Sequence, residues 1–270
     1  MTHLLFWGQF VAFAMSFALF FANLENPRAD RSLWGARLMK LGLALNLALI
    51  AYLTAVSGRC PLLNLSETFY AVSFLAVFVS AVLESRYHAK FLSLFTLPGA
   101  LLVSLLGYAL ADPSIWSGPV KNATIIHAFL IMLGFAGLVI AASSALMYLV
   151  QSYQLKSKRI GGVFLKLPSL STLDRIHFSM LCWGVILFSF GLVTGLFSAQ
   201  SLHELKAVLK DPKVILSLAA CGLYWMVLSF RLSQLRRGRK IALGTVIVFT
   251  LLFVTLLTGH YGPQGFHKGF

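Results

Sequence analysis

Residues 125–150 read IIHAFLIMLGFAGLVIAASSALMYLV, twenty-six positions without an acid, a lysine or an arginine. A helix needs roughly 20 apolar residues to cross the ~30 Å hydrocarbon core of a bilayer. Inside that core every backbone N–H and C=O must be paired within the segment, so the stretch is expected to be a helix. Seven further stretches share this character: 4–24, 41–57, 69–84, 91–110, 177–198, 214–230 and 241–258, with the quoted one running from 124 to 150. The expected fold is all-α, a polytopic bundle of about eight transmembrane helices. Residues 1–270 read as a single integral-membrane domain. The prolines mark its punctuation: only Pro98 interrupts a span, where a kink is expected, and the rest fall between or after spans.

Composition agrees. Hydrophobic residues make up 59% of the chain and charged residues 11%, against about 45–50% and 25% in a soluble domain. A mean hydropathy of +0.84 excludes a disordered chain and a soluble globule. The net charge of +14 would suggest nucleic acid in a soluble protein, but here no nucleic-acid partner is expected. Lysine and arginine instead gather on one side. The loops after spans one, three, five and seven hold 16 of the 22 basic residues. By the positive-inside rule those loops are cytoplasmic and both termini are external. The first residues carry no basic flank before a long apolar run, so a cleaved signal peptide fits poorly. Cys60, Cys182 and Cys221 form no CxxC, which argues against a disulfide framework or a zinc site.

The spans are almost free of ionisable groups, and Glu84 is the one acid read near a span. P-loop, HExxH and G-x-S-x-G patterns are absent. No recognisable catalytic constellation exists, so the chain is not expected to be an enzyme. Histidine remains. The topology sorts His3, His127, His203, His260 and His267 to the external side, and His88 and His177 to the cytoplasmic side. Imidazole ligates haem iron, and two histidines on different helices clamp one macrocycle between them. The bland alternatives are an interfacial side chain for His127 and a frayed tail for His260 and His267. His177 reads as a cap at the start of span six and His88 as a solvated loop residue. Gly191 and Gly195 in FGLVTG suit close helix packing. Trp183 and Trp225 read as packing residues or interface anchors.

Several of these segments resemble the cytochrome c assembly protein family, most closely its short YpjD/HemX-like branch. The histidine-headed span ends in a polar Q…LK stretch. It is followed by LPSLSTLDRIHFSMLCWGVILFSFGLVTGLFSA, then DPK at 211–213, a basic RRGRK, and GFH at 265–267. The resemblance is clear over roughly residues 120–270. It implies haem handling in cytochrome c biogenesis, with haem b at the external face and a place in the bacterial cytoplasmic (inner) membrane. His127 matches the first family histidine and His267 the second, with His260 as the alternative. It also implies haem, the lipid bilayer and a CcsB/ResB-like assembly factor as partners. One departure stands out: SAQSLHELKAVLKDPK, where relatives of the CcsA type carry a tryptophan-rich loop, contains no tryptophan. Lys206, Lys210 and Lys213 in that segment offer charge to haem propionates or are plain loop lysines. The alternative reading is a HemX-like regulator of the level of a haem-biosynthesis enzyme, acting through the basic cytoplasmic loops.

Overall fold

The computed structural model describes residues 1–58, 65–87, 92–111, 122–157, 168–197, 209–210, 212–233 and 238–261. Within these, the side chains of 25, 65, 122–123, 212–213 and 255–261 fall outside the description. Eight long helices account for nearly all of it: α1 (Thr2–Glu25), α2 (Ala29–Ser57), α3 (Leu65–Tyr87), α4 (Leu92–Ala109), α5 (Asn122–Lys156), α6 (Leu170–Phe197), α7 (Pro212–Leu232) and α8 (Arg239–Tyr261). No strand occurs among the described residues. Among the described residues, seven helices, α1 to α7, are long and apolar enough to cross a membrane. Large apolar side chains such as Leu4, Trp183 and Phe190 stand exposed on the outside of the bundle. In water such a surface would drive aggregation, whereas in a bilayer it is the solvated one. The chain is a multi-pass membrane protein.

Several helices outrun the apolar stretches that announced them. α2 begins twelve residues before position 41, because Ala29–Lys40 continues the helix with a mixed polar face. There Arg37 lies over the Trp34 ring at 5.1 Å, an arrangement suited to the headgroup layer. α5 has 35 residues, which at 1.5 Å per residue gives about 52 Å, well beyond the hydrocarbon thickness. Pro98 sits inside α4 without ending it.

Consecutive helices pair as antiparallel hairpins. The α1–α2 turn is held by Asn23, whose Oδ1 accepts from the Arg28 N–H at 2.8 Å. Arg31 adds donation to the carbonyls of Ala22 and Asn26 at 3.1 and 3.2 Å. The Ala22 carbonyl also accepts the Asn26 N–H at 3.0 Å, so the Arg31 guanidinium adds a charged donor at the negative end of the α1 dipole. α2 closes at Gly58, whose φ of 63° is left-handed and open to glycine at no steric cost. Within α3–α4, Ser73 donates to the Ala100 carbonyl at 3.0 Å and the Ser93 N–H donates to Glu84 at 2.6 Å. The most extensive pairing is α5 on α6, and α5 also touches α3, α4 and α8. α5 is therefore the helix on which the two halves of the bundle meet.

Candidate functional site

The α5–α6 contact is made by glycines. A Cβ on Gly134 would stand 2.5 Å from the backbone nitrogen of Phe188. One on Gly137 would meet the Cα of Gly184 at 3.1 Å, and one on Gly191 would meet Ile131 at 2.8 Å. The backbones thus approach closer than any other side chain allows, the small-residue packing expected between membrane helices. At the end of this seam lies His127, on the second turn of α5. Its Nδ1 is 2.6 Å from the carbonyl oxygen of Gly191. A carbonyl only accepts, so Nδ1 carries the proton and Nε2 keeps its lone pair. Gly195 lies close against the ring: a Cβ there would be 2.6 Å from both Cε1 and Nδ1. Thr194 donates back into α6, to the carbonyl of Gly191 at 2.9 Å or of Phe190 at 3.0 Å.

A ring nitrogen donating to a backbone carbonyl is how proteins fix the tautomer and the plane of a metal-binding imidazole. The free Nε2 of such a ring is a nitrogen able to ligate a metal ion. Glycines that read as packing residues do two jobs here, since Gly191 and Gly195 both pack α6 on α5 and orient His127. The sequence signal was present in FGLVTG, but nothing in the spacing links it to a histidine 64 residues away.

The other sequence candidates are distributed differently. Position 260 belongs to the last turn of α8. His267, His88 and His203 lie outside the described residues, as do Trp116 and Lys206. Lys210 is exposed, and Lys213 opens α7. Cys182 and Cys221 are free thiols. No group of three or more potential metal ligands occurs among the described residues. Trp225 is partly exposed and its indole N–H donates to Ser189 at 2.9 Å, tying α7 to α6.

Two readings need correction. His177 does not cap a helix start. It lies seven residues into α6, 3% exposed, with Nε2 2.9 Å from the Thr245 hydroxyl of α8. The helix begins earlier than its apolar run, and that brings the histidine inside. Thr245 donates to the Ile241 carbonyl at 3.1 Å, so His177 is the donor to Thr245. Glu84 is also not the one acid near a span. α3 starts at Leu65, so Glu67 falls in its first turn and is buried.

Around His177 the end of the bundle opposite His127 is cross-linked. Asp174 pairs with Arg231, whose guanidinium lies 5.4 Å from the Phe178 ring centroid. Gly238, at φ 68°, abuts the Tyr148 hydroxyl. Polar groups from α5, α6, α7 and α8 meet here.

An eight-helix membrane bundle with one tautomer-fixed histidine at the end of a glycine seam defines the class, and the comparisons give the family. Residues 62–267 match the family described as Cytochrome C assembly protein, and the chain belongs to that family. It is 26% identical over 255 residues to Protein HemX of Bacillus subtilis, covering 92% of this chain and 91% of that one. It is 26% identical over 261 residues to the Inner membrane protein YpjD of Escherichia coli K12, covering 93% and 92%. Protein HemX of Brevibacillus brevis is 24% identical over 245 residues, covering 86% of each chain.

Proposed function

We propose that this protein handles haem during cytochrome c assembly, holding haem b at the external face of the bacterial cytoplasmic membrane. The site uses His127 and a histidine from the C-terminal segment, within one membrane domain whose termini are both external. The observation that carries the reading is the bond from His127 Nδ1 to the Gly191 carbonyl, which leaves Nε2 to bind iron. Haem, when bound, would supply a redox-active iron that imidazole nitrogens ligate. The chain's part is to hold the imidazole in one tautomer and one plane, at the end of a rigid glycine-packed helix pair.

His267 is the second ligand by its GFH context, and His260 is the alternative. Helix register supports His260 as a serious competitor. Phe135 and Phe249 meet at 5.8 Å between ring centroids and set the antiparallel offset of α5 and α8. That offset brings position 260 within about a turn of the level of His127. It lies about three turns beyond Phe249 along α8. The experiment is the absorption spectrum of protein purified from haem-replete cells. A Soret band with low-spin character is expected, lost in large part in His127→Ala and unchanged in His88→Ala. Loss in His267→Ala or in His260→Ala identifies the partner. Wild-type haem content in His127→Ala would overturn the site.

The regulatory reading gains from the projecting end of α5, where Tyr153 is 64% exposed beside Lys156. Neutralising Lys156, Lys158 and Arg159 together abolishes function in that reading. It leaves haem content intact in the first.

A further inference from the structure

Gln9 on α1 and Asn46 on α2 are both 0% exposed. Neither the oxygen nor the nitrogen of either carboxamide has a hydrogen-bond partner among the described residues. Register places the two residues opposite each other. Gly42 abuts Phe13 and Gly35 abuts Phe20, and the same antiparallel offset carries position 9 to position 46. Two further polar residues come near this depth from the neighbouring helices. Phe6 stacks on Tyr108 at 4.2 Å, which brings position 9 of α1 level with the Ser104 turn of α4. Phe6 also shares a cluster with Leu49 and Tyr70, which brings Asn46 level with the Ser73 turn of α3. Ser73 and Ser104 are 0% exposed. Their own protons go to the carbonyls of Ala100 and Leu101 at 3.0 and 3.1 Å, so their remaining lone pairs can only accept.

Buried polar groups in proteins are paired with protein or with ordered water, and an unpaired one carries its full desolvation penalty. Two carboxamides present two acceptor oxygens and two donor NH2 groups. A cation would satisfy only the oxygens and an anion only the NH2 groups. No ionisable side chain along α1 or α2 is nearer in sequence than His3 or Lys40, six residues away in each case. What completes this site is neutral, small, and both donor and acceptor. We infer that Gln9 and Asn46 form a buried hydration site that holds ordered water between α1 and α2 inside the membrane. The α1–α2 hairpin is then joined through solvent at this level, in contrast to the dry glycine contacts that join α5 to α6. This inference does not rest on the haem reading.

The test uses the full-length protein in lipid bilayers, uniformly labelled with 15N, and magic-angle-spinning NMR. Magnetisation transferred from water should reach the side-chain NH2 groups of Gln9 and Asn46, and should not reach the backbone amides of Phe13 and Leu49. The two signals should disappear in Gln9→Leu/Asn46→Leu, which removes both carboxamides. Should that variant fail to fold, exchange of the wild-type NH2 protons for deuterium gives the same answer: exchange supports the site. Side-chain signals as dry as those of Phe13 and Leu49 would overturn it. So would a direct Gln9–Asn46 contact without water transfer.

Discussion

The imidazole of His127 and the carbonyl of Gly191 are joined across α5 and α6 by a 2.6 Å hydrogen bond. The bond exists because Gly195, one turn further along α6, has no side chain to push the ring away. A position that reads as helix packing is thereby also a condition for the orientation of the histidine.

Gly195→Ala tests that link. The new methyl would sit 2.6 Å from two ring atoms, and the ring must rotate or the helices must part. Overpacking of this kind costs about 1–3 kcal/mol. Haem content should fall towards that of His127→Ala, and the 15N signals of the imidazole should lose the single Nδ1–H tautomer. An unchanged 15N pattern would show that Gly195 does not orient His127.

Gly134→Ala should be the more destructive substitution. Its Cβ would meet backbone atoms of Phe188, the nitrogen at 2.5 Å and Cα at 2.8 Å, and backbone cannot rotate aside. Gly222, in α7, has nothing within 4 Å of its would-be Cβ. There alanine should be neutral or stabilising by up to about 1 kcal/mol, since it restricts the unfolded chain and favours the helix. Thermal unfolding of the two variants in the same detergent compares them directly.

His177→Ala should separate a structural histidine from a ligand. Removing a fully buried ring and its bond to Thr245 should cost about 2–4 kcal/mol, mostly from the cavity. Haem content per folded molecule should stay at the wild-type value. Thr245→Val, which leaves His177 Nε2–H without its acceptor, should cost about 1–3 kcal/mol. A Soret band lost in His177→Ala while folding is retained would assign that residue a ligand role instead.

Orientation is tested by single cysteines. Those placed at Ser114 and Gln264 should react with a membrane-impermeant thiol reagent in intact cells, and one placed at Ser157 should not. The basis is the concentration of 16 of 22 basic residues in alternate loops. Labelling at Ser157 alone would invert the orientation and put His127 at the cytoplasmic face.

The helical, multi-pass character of this protein was readable residue by residue, because the bilayer leaves a backbone segment such as 125–150 no alternative to internal hydrogen bonding. The boundaries were less readable. Hydropathy reports where the hydrocarbon ends, while the helix continues as long as capping and side-chain contacts permit, so α2 begins at Ala29 and α6 at Leu170. That difference of a few residues turned His177 from a cap into a buried link and brought Glu67 into α3. Gln9 and Asn46 passed unnoticed in the chain because a carboxamide carries no charge and single polar residues are common in long helices. Only the packing of α1 on α2 buries both and leaves them without partners.

His127 was conspicuous in sequence as a lone histidine heading an apolar helix, and Gly191 and Gly195 as a small-residue pair. Their union was not readable, because local periodicity describes one helix at a time. Which helix a face meets, and at what register, depends on contacts between residues far apart in the chain. The antiparallel docking of α6 on α5 settles that register through the glycines at 134, 137, 184 and 191. It is this docking that places a carbonyl where the ring proton of His127 points.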